Sequence, residues 1–159
     1  MNRVRTLLAG ALALSLTGGV AHAVPLNAFS SFYVLGDSLS DNGNAYDASF
    51  GVVPESPPYW NGRFSNGPVW ADRIARAFDR AGVETGNFAF GGAKARTDRD
   101  GIPDLKVQLG EYAALGPRDI GGRPLVALWA GGNDVLQGEG SFRALGKAAA
   151  QSVGDVARS

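Results

Sequence analysis

The stretch SFYVLGDSLSDNGN, Ser31 to Asn44, decides how the rest of the chain is read. Ser31 to Leu35 is aromatic, β-branched and apolar and stops at Gly36, the pattern of a short buried strand. Asp37, Ser38, Ser40, Asp41, Asn42 and Gly43 follow, all polar or turn-forming. A buried strand that breaks into such a turn carries Ser38 at its carboxyl end. The reading predicts a helix directly after this turn, with its N-terminus favouring negative charge beside the serine.

Working outward, two further strand ends have the same character. Glu84 to Phe90 is a second strand candidate, interrupted by Gly86 and Asn87, and runs into Gly91-Gly92-Ala93. Pro124 to Ala130 is apolar throughout, as a strand buried on both faces would be, and runs into Gly131-Gly132-Asn133-Asp134. Helical spacing lies between and after them. Pro68 suits a first turn, and Trp70, Ile74, Ala77, Phe78 and Ala81 share one face. Asp104 is placed to cap a helix carrying Leu105, Leu109, Tyr112 and Ala113 on one side. Phe142, Leu145, Ala149, Val153 and Val156 form a last stripe. Residues 47–67 show no periodicity and are rich in glycine and proline, the kind of long connection that is usually functional. Strands alternating with helices predict an α/β fold with a parallel sheet and right-handed crossovers. Ligands of such sheets bind beyond the carboxyl ends of the strands, where all three polar segments fall.

The composition narrows the function. Of 159 residues 23 are glycine, about twice the roughly 7 % of ordinary chains. The 15 basic and 15 acidic residues balance, and no basic block argues for nucleic acid. The absence of cysteine removes disulfides, thiolate metal sites and thiol nucleophiles together. Arg3 and Arg5, the apolar run Leu7 to Leu16 and the Ala21-His22-Ala23 pattern read as a secretory signal peptide over residues 1–23. The mature chain, 24–159, is then exported to the periplasm, the outer membrane or the medium. His22 is the single histidine of the sequence, so residues 24–159 contain none.

The three strand ends together point to acyl-transfer chemistry. Ser38 offers a hydroxyl and a backbone N–H. Gly91 and Gly92 offer N–H groups that a ligand can approach with no side chain in the way. Asn133 offers an amide. Two backbone donors and one amide beside a serine make an oxyanion hole. Taken singly, each segment is a turn or a helix cap; their order at three successive strand ends carries the reading. Asp98, Asp100 and Asp104 read as a solvated loop rather than a cation site, because the Asp-x-Asp-x-Asp-Gly spacing is missing. Tyr59, Trp60, Phe64 and Trp70 read as loop anchors and core before they read as an acyl pocket or a membrane-facing lip.

With GDSLSDNGN, NFAFGGA and WAGGNDV in order, and GRFSNGPVW at residues 62–70, the chain resembles the GDSL lipases and esterases of the SGNH hydrolase superfamily from about Phe32 to Val135. The resemblance implies a three-layer α/β/α, flavodoxin-like fold with a parallel sheet. It implies Ser38 as nucleophile and backbone oxyanion donor, Gly91 as the next donor with Gly92 as second candidate, and Asn133 as the third. It implies hydrolysis of carboxylic esters, lipid or small-molecule, through an acyl-enzyme with no cofactor and no metal. Contact with a membrane surface is left open.

One part of the family pattern is missing. The resemblance calls for an Asp-x-x-His block, and this sequence has none. A serine hydroxyl is a poor nucleophile until a base takes its proton. Lys94 is the one substitute the sequence offers, and nothing places its amine beside Ser38. The expectation is therefore an N-terminal portion of a hydrolase domain, truncated after about three strands and inactive alone. Its rivals are a non-catalytic relative that binds acyl or glycan ligands and a non-functional remnant.

Overall fold

The structure is a computed structural model, and it describes residues 23–96 and 100–158. The signal-peptide reading of residues 1–23 therefore lies almost wholly outside the described residues, as does Asp98.

Strand β1 (Ser31–Gly36) is the centre of the molecule, and all six of its residues are buried. Parallel partners flank it, β2 (Glu84–Asn87) on one side and β3 (Pro124–Trp129) on the other, giving the order β2-β1-β3. The register sets Ser31 opposite Glu84 and Pro124, and Gly36 opposite Trp129. Two crossovers of the same hand that run in opposite directions across a sheet must use opposite faces. Helix α2 (Trp70–Arg80) covers one face, where Phe78 stacks on Phe32 at 4.7 Å in a cluster with Val34, Ala71, Val83 and Ala89. Helix α3 (Leu105–Ala113) covers the other, where Tyr112 meets Tyr33 edge-on at 5.3 Å. Helix α6 (Phe142–Val156) joins α3 there, burying Leu145 and Ala149. The result is three layers, helix on sheet on helix. Short helices α1 (Asn44–Ala48), α4 (Pro117–Ile120) and α5 (Gly132–Gln137) fill the connections.

Several sequence expectations are corrected. No regular helix starts at Ser38. Residues 37–41 form a single turn, with Ser40 and Asp41 N–H donating to the Asp37 carbonyl, and α1 begins only at Asn44. Strand β2 ends at Asn87, three residues early, although the Phe88 and Phe90 N–H groups still donate to the Val34 and Gly36 carbonyls of β1 at 2.8 and 3.0 Å. Strand β3 is not buried on both faces: it lies at the edge of the described sheet and Trp129 is 56 % exposed. The buried stripe of α2 runs through Ala71 and Phe78 with Ala75 beside them, while Ile74 is exposed. Small alanines let that side of the helix approach the sheet. On α3 the interior position falls to Gln108, and Ala113 faces out. Phe142, at the start of α6, is exposed.

Candidate active site

The order β2-β1-β3 puts the point where the connections reverse between β1 and β3. In open α/β sheets that crevice is the ligand site. Asp37 and Ser38 leave β1 on one side of it, and Gly131 to Asn133 leave β3 on the other. The two strands approach closely here. A Cβ on Gly36 would collide with the Trp129 carbonyl, so glycine is required at that point of the ladder. The Asp37 N–H donates to the same carbonyl at 3.1 Å and carries the β1–β3 pairing into the turn.

Ser38 is half-buried at the head of this turn. The Asp37 carboxylate accepts the Leu39 N–H at 3.0 Å and holds the turn closed. Among the described residues, neither the Ser38 N–H nor its hydroxyl has a hydrogen-bond partner. Burial pushes the Asp37 carboxyl above its ordinary value, and the charge of Asp134 adds to the shift.

The glycine loop after β2 is held almost entirely by buried carboxylates. Asp41, with no exposed surface, accepts the Gly91 N–H at 2.8 Å, besides those of Gly43, Asn44 and Ala45 at 2.7, 2.6 and 3.1 Å. Burial pushes its carboxyl upward against the pull of these donors. Asp104 accepts the Lys94 N–H at 2.8 Å. Asp134 accepts the Ala95 and Arg96 N–H groups at 2.7 and 3.0 Å and the Arg96 Nε at 3.1 Å. The Ala93 N–H donates to the Phe90 carbonyl at 3.0 Å. Along 91–96 the Gly92 N–H is thus the one left without an acceptor among the described residues. Gly92 lies at φ +88°, a conformation that calls for glycine, and a Cβ there would push aside the Ile102 Cδ1 methyl at 2.8 Å.

Asn133 lies in the first turn of α5 and joins the third strand end to the second. Its Nδ2 donates to the Ala93 carbonyl at 2.8 Å, and its Oδ1 accepts from Gln137 at 3.3 Å. The other N–H of that amide has no acceptor among the described residues. The contacts chain the three strand ends together: Asp41 to Gly91, Ala93 to Asn133, and Gly132 lying against Asp37. Asn87 and Asn44 cross-brace the first two, through the Ser40, Asn87 and Ala89 carbonyls.

The family model described as GDSL-like Lipase/Acylhydrolase matches residues 32–157. The chain belongs to this family. It is 37 % identical over 134 residues to the phosphatidylcholine-sterol acyltransferase of Aeromonas hydrophila, an alignment covering 77 % of this chain and 37 % of that protein. It is 37 % identical over 78 residues to the thermolabile hemolysin of Vibrio parahaemolyticus, covering 49 % of this chain and 18 % of the hemolysin. The chain thus spans well under half the length of either relative.

The family motifs divide into parts that face the crevice and parts that build it. The GRFSNG segment builds. Arg63 forms a two-pronged pair with Asp72 of α2, at 3.0 and 3.3 Å, and lies over the Trp60 ring. Asp72 in turn accepts the Val69 N–H at 3.0 Å at the start of α2. Phe64 fills the space that a side chain on Gly91 would take. The Lys94 ammonium pairs with Asp100 at 2.8 Å. Among the described residues no grouping of three or more acidic, histidine or cysteine side chains is placed to hold a metal ion.

Of the two candidate glycines, Gly91, the first choice from sequence, has its N–H engaged by Asp41, whereas the Gly92 N–H has no acceptor among the described residues. Asp104 sits at the N-cap position of α3, but its carboxylate makes no cap bond and ties Lys94 instead. Sequence reasoning missed Gln108 altogether. Fully buried, it accepts the Gly36 N–H at 2.8 Å and donates to the Gly36 and Pro103 carbonyls at 2.9 and 2.7 Å. It thereby satisfies the end of β1 where β2 has stopped. The signal was present: Leu105, Gln108, Leu109 and Tyr112 fall at i, i+3, i+4 and i+7, putting a glutamine on the apolar face.

Proposed function

We propose that this chain carries the nucleophile and the oxyanion donors of an acyl-transfer site for carboxylic esters, lipid esters foremost. Ser38 gives its hydroxyl proton to a base and attacks the ester carbonyl, and the alcohol leaves with that proton as the acyl-enzyme forms. The Ser38 N–H, the Gly92 N–H and the open N–H of Asn133 receive the developing oxyanion. The observation that carries this reading is that Ser38, Gly92 and Asn133, one at each of the three strand ends, each keep an N–H without an acceptor among the described residues. Donors fixed by surrounding bonds need not reorganise as charge develops, which is the source of their catalytic effect. The names of the two relatives, an acyltransferase acting on phosphatidylcholine and a hemolysin, support a lipid ester as substrate.

No histidine lies within residues 24–159, so the proton acceptor for Ser38 is not supplied by that segment. The 159-residue chain alone is therefore expected to be inactive, its donors giving at most a residual effect. The test is labelling with a fluorophosphonate, read by mass spectrometry. Ser38 should react in an in-frame form that includes an Asp-x-x-His block and not in the 159-residue chain. In the reactive form Ser38→Ala should abolish ester hydrolysis, and Asn133→Ala should lower kcat by about 10²–10³. Labelling at another serine, or full activity in Ser38→Ala, would overturn the assignment. Export is part of the proposal: secreted material should begin Val24-Pro25-Leu26, and an intact Met1 on membrane-bound protein would refute it.

A further inference from the structure

The loop that follows α1 exposes apolar side chains in a way that packing does not explain. Phe50 is 96 % exposed, Val52 67 % and Val53 47 %. Large apolar residues standing together in solvent are the informative exception to ordinary burial. This tip is also built rather than slack. The Gly51 N–H donates to the Tyr46 carbonyl at 2.8 Å, and the Phe50 N–H to the Asp47 carbonyl at 3.1 Å. The Ser49 hydroxyl accepts the Val52 and Val53 N–H groups at 3.2 and 2.7 Å. Pro54 anchors the far side in a buried position. Phe50 itself is held at φ +55°, a left-handed conformation that a bulky residue seldom adopts. Strain is thus maintained at the residue whose side chain projects furthest into water.

The tip lies at the same end of the sheet as the candidate site. Helix α1, which leads into it, is capped by Asp41 of the Ser38 turn, and its Ala45 packs against Gly91. Leu39, the residue after Ser38, is 52 % exposed, and Tyr59 on the returning limb is 43 % exposed. Between Ala48 and Pro54 there is no charge, and Asp47 and Glu55, which flank the run, are both acidic. A protein partner would be selected by a broad surface with a patterned polar rim. A narrow uncharged tip of Phe and Val instead matches a hydrocarbon phase beneath headgroups, entered by apolar contact with no basic residues to draw it to anionic lipid. We propose that residues 50–53 insert into a lipid surface and seat the enzyme on it with the Ser38 crevice facing the lipid. The proposal rests on the lipid-ester reading of that crevice, but its test involves no chemistry.

Flotation of the secreted chain, starting at Val24, with phosphatidylcholine vesicles measures the contact directly. Phe50→Asn keeps a residue that tolerates the left-handed backbone and removes the ring. Because Phe50 packs on nothing, the fold should be unaffected, as circular dichroism would verify. Vesicle affinity should fall about ten- to a hundred-fold, the loss expected when one phenylalanine no longer leaves water. Leu26→Asn, an exposed apolar position ahead of β1, should change it less than two-fold. Binding should neither weaken at high salt nor rise on adding phosphatidylserine. Equal loss in both variants, or no loss in Phe50→Asn, would overturn the proposal. So would self-association in sedimentation equilibrium that Phe50→Asn abolishes, which would make the tip a protein contact. If Ser38 is not the nucleophile, vesicle binding persists while the labelling test fails, so the two readings fail separately.

Discussion

Replacing Asp41 by asparagine tests the central bracing of the site with one atom. The carboxylate receives four backbone N–H groups: Gly43 and Asn44 on Oδ1, Ala45 and Gly91 on Oδ2. An asparagine oxygen can keep two of them, but its amide then faces the other two donor to donor. A buried donor left without an acceptor costs about 1–3 kcal/mol, so the substitution should destabilise by roughly 2–6 kcal/mol. Against the ~5–15 kcal/mol that holds a typical domain together, this is a large fraction. The assay is urea unfolding at pH 7 followed by tryptophan fluorescence. Trp70 is a local reporter because its Nε1 donates to Ser40 at 3.2 Å, next to Asp41. Asp41→Ala removes both acceptor oxygens and with them all four bonds, and should be worse still, limited by whatever water enters. Amide exchange supplies a second readout, since the Gly91 N–H should be protected in the native protein and exposed in the variant. An unfolding midpoint for Asp41→Asn indistinguishable from wild type, with Gly91 still protected, would refute the reasoning.

Gln108→Leu keeps the approximate volume but leaves the Gly36 N–H without its acceptor; a cost of about 1–3 kcal/mol is expected in the same titration, and a neutral result would show that water replaces the amide. Asp37→Asn tests a pH effect. Burial and the charge of Asp134 raise the folded-state pKa of Asp37 above its unfolded value, so its contribution to stability is fully present below the unfolded value and lost as pH rises through the folded one. Asparagine retains an acceptor for Leu39 and cannot ionise, so the variant should gain on wild type as pH rises from about 4 toward neutrality, with the difference vanishing near pH 3; a pH-independent difference in melting temperature would contradict the shift. The outer edge of β3 has no partner strand among the described residues, and an apolar edge is an association hazard. Light scattering of the 24–159 chain should therefore rise with concentration, and a monodisperse monomer at all concentrations would count against an accessible edge.

The sequence by itself determined the elements and their chemistry. Short apolar runs and period-3.6 stripes located three strands and the principal helices, and the polar break after each strand named Ser38, the glycine pair and Asn133. These are local properties, set by which neighbouring side chains are apolar and where glycine interrupts them. The tertiary structure alone decided which donors are open. Gly91 and Gly92 are equivalent as letters. They differ because Asp41, fifty residues earlier in the chain, claims the Gly91 N–H, while no described residue claims that of Gly92. Likewise helical spacing puts Gln108 on the apolar face of α3, but only the fold brings it to Gly36, 72 positions away. Asp134 reads as a helix-turn acid until it closes on Ala95 and Arg96, 39 and 38 positions away. Hydrogen-bond satisfaction is a global constraint on buried groups, so their partners cannot be read from neighbours in sequence. The exposure of Phe50 is of the same kind: the sequence marks residues 47–67 as a long aperiodic connection, and only the tertiary structure shows which of its apolar side chains are left uncovered.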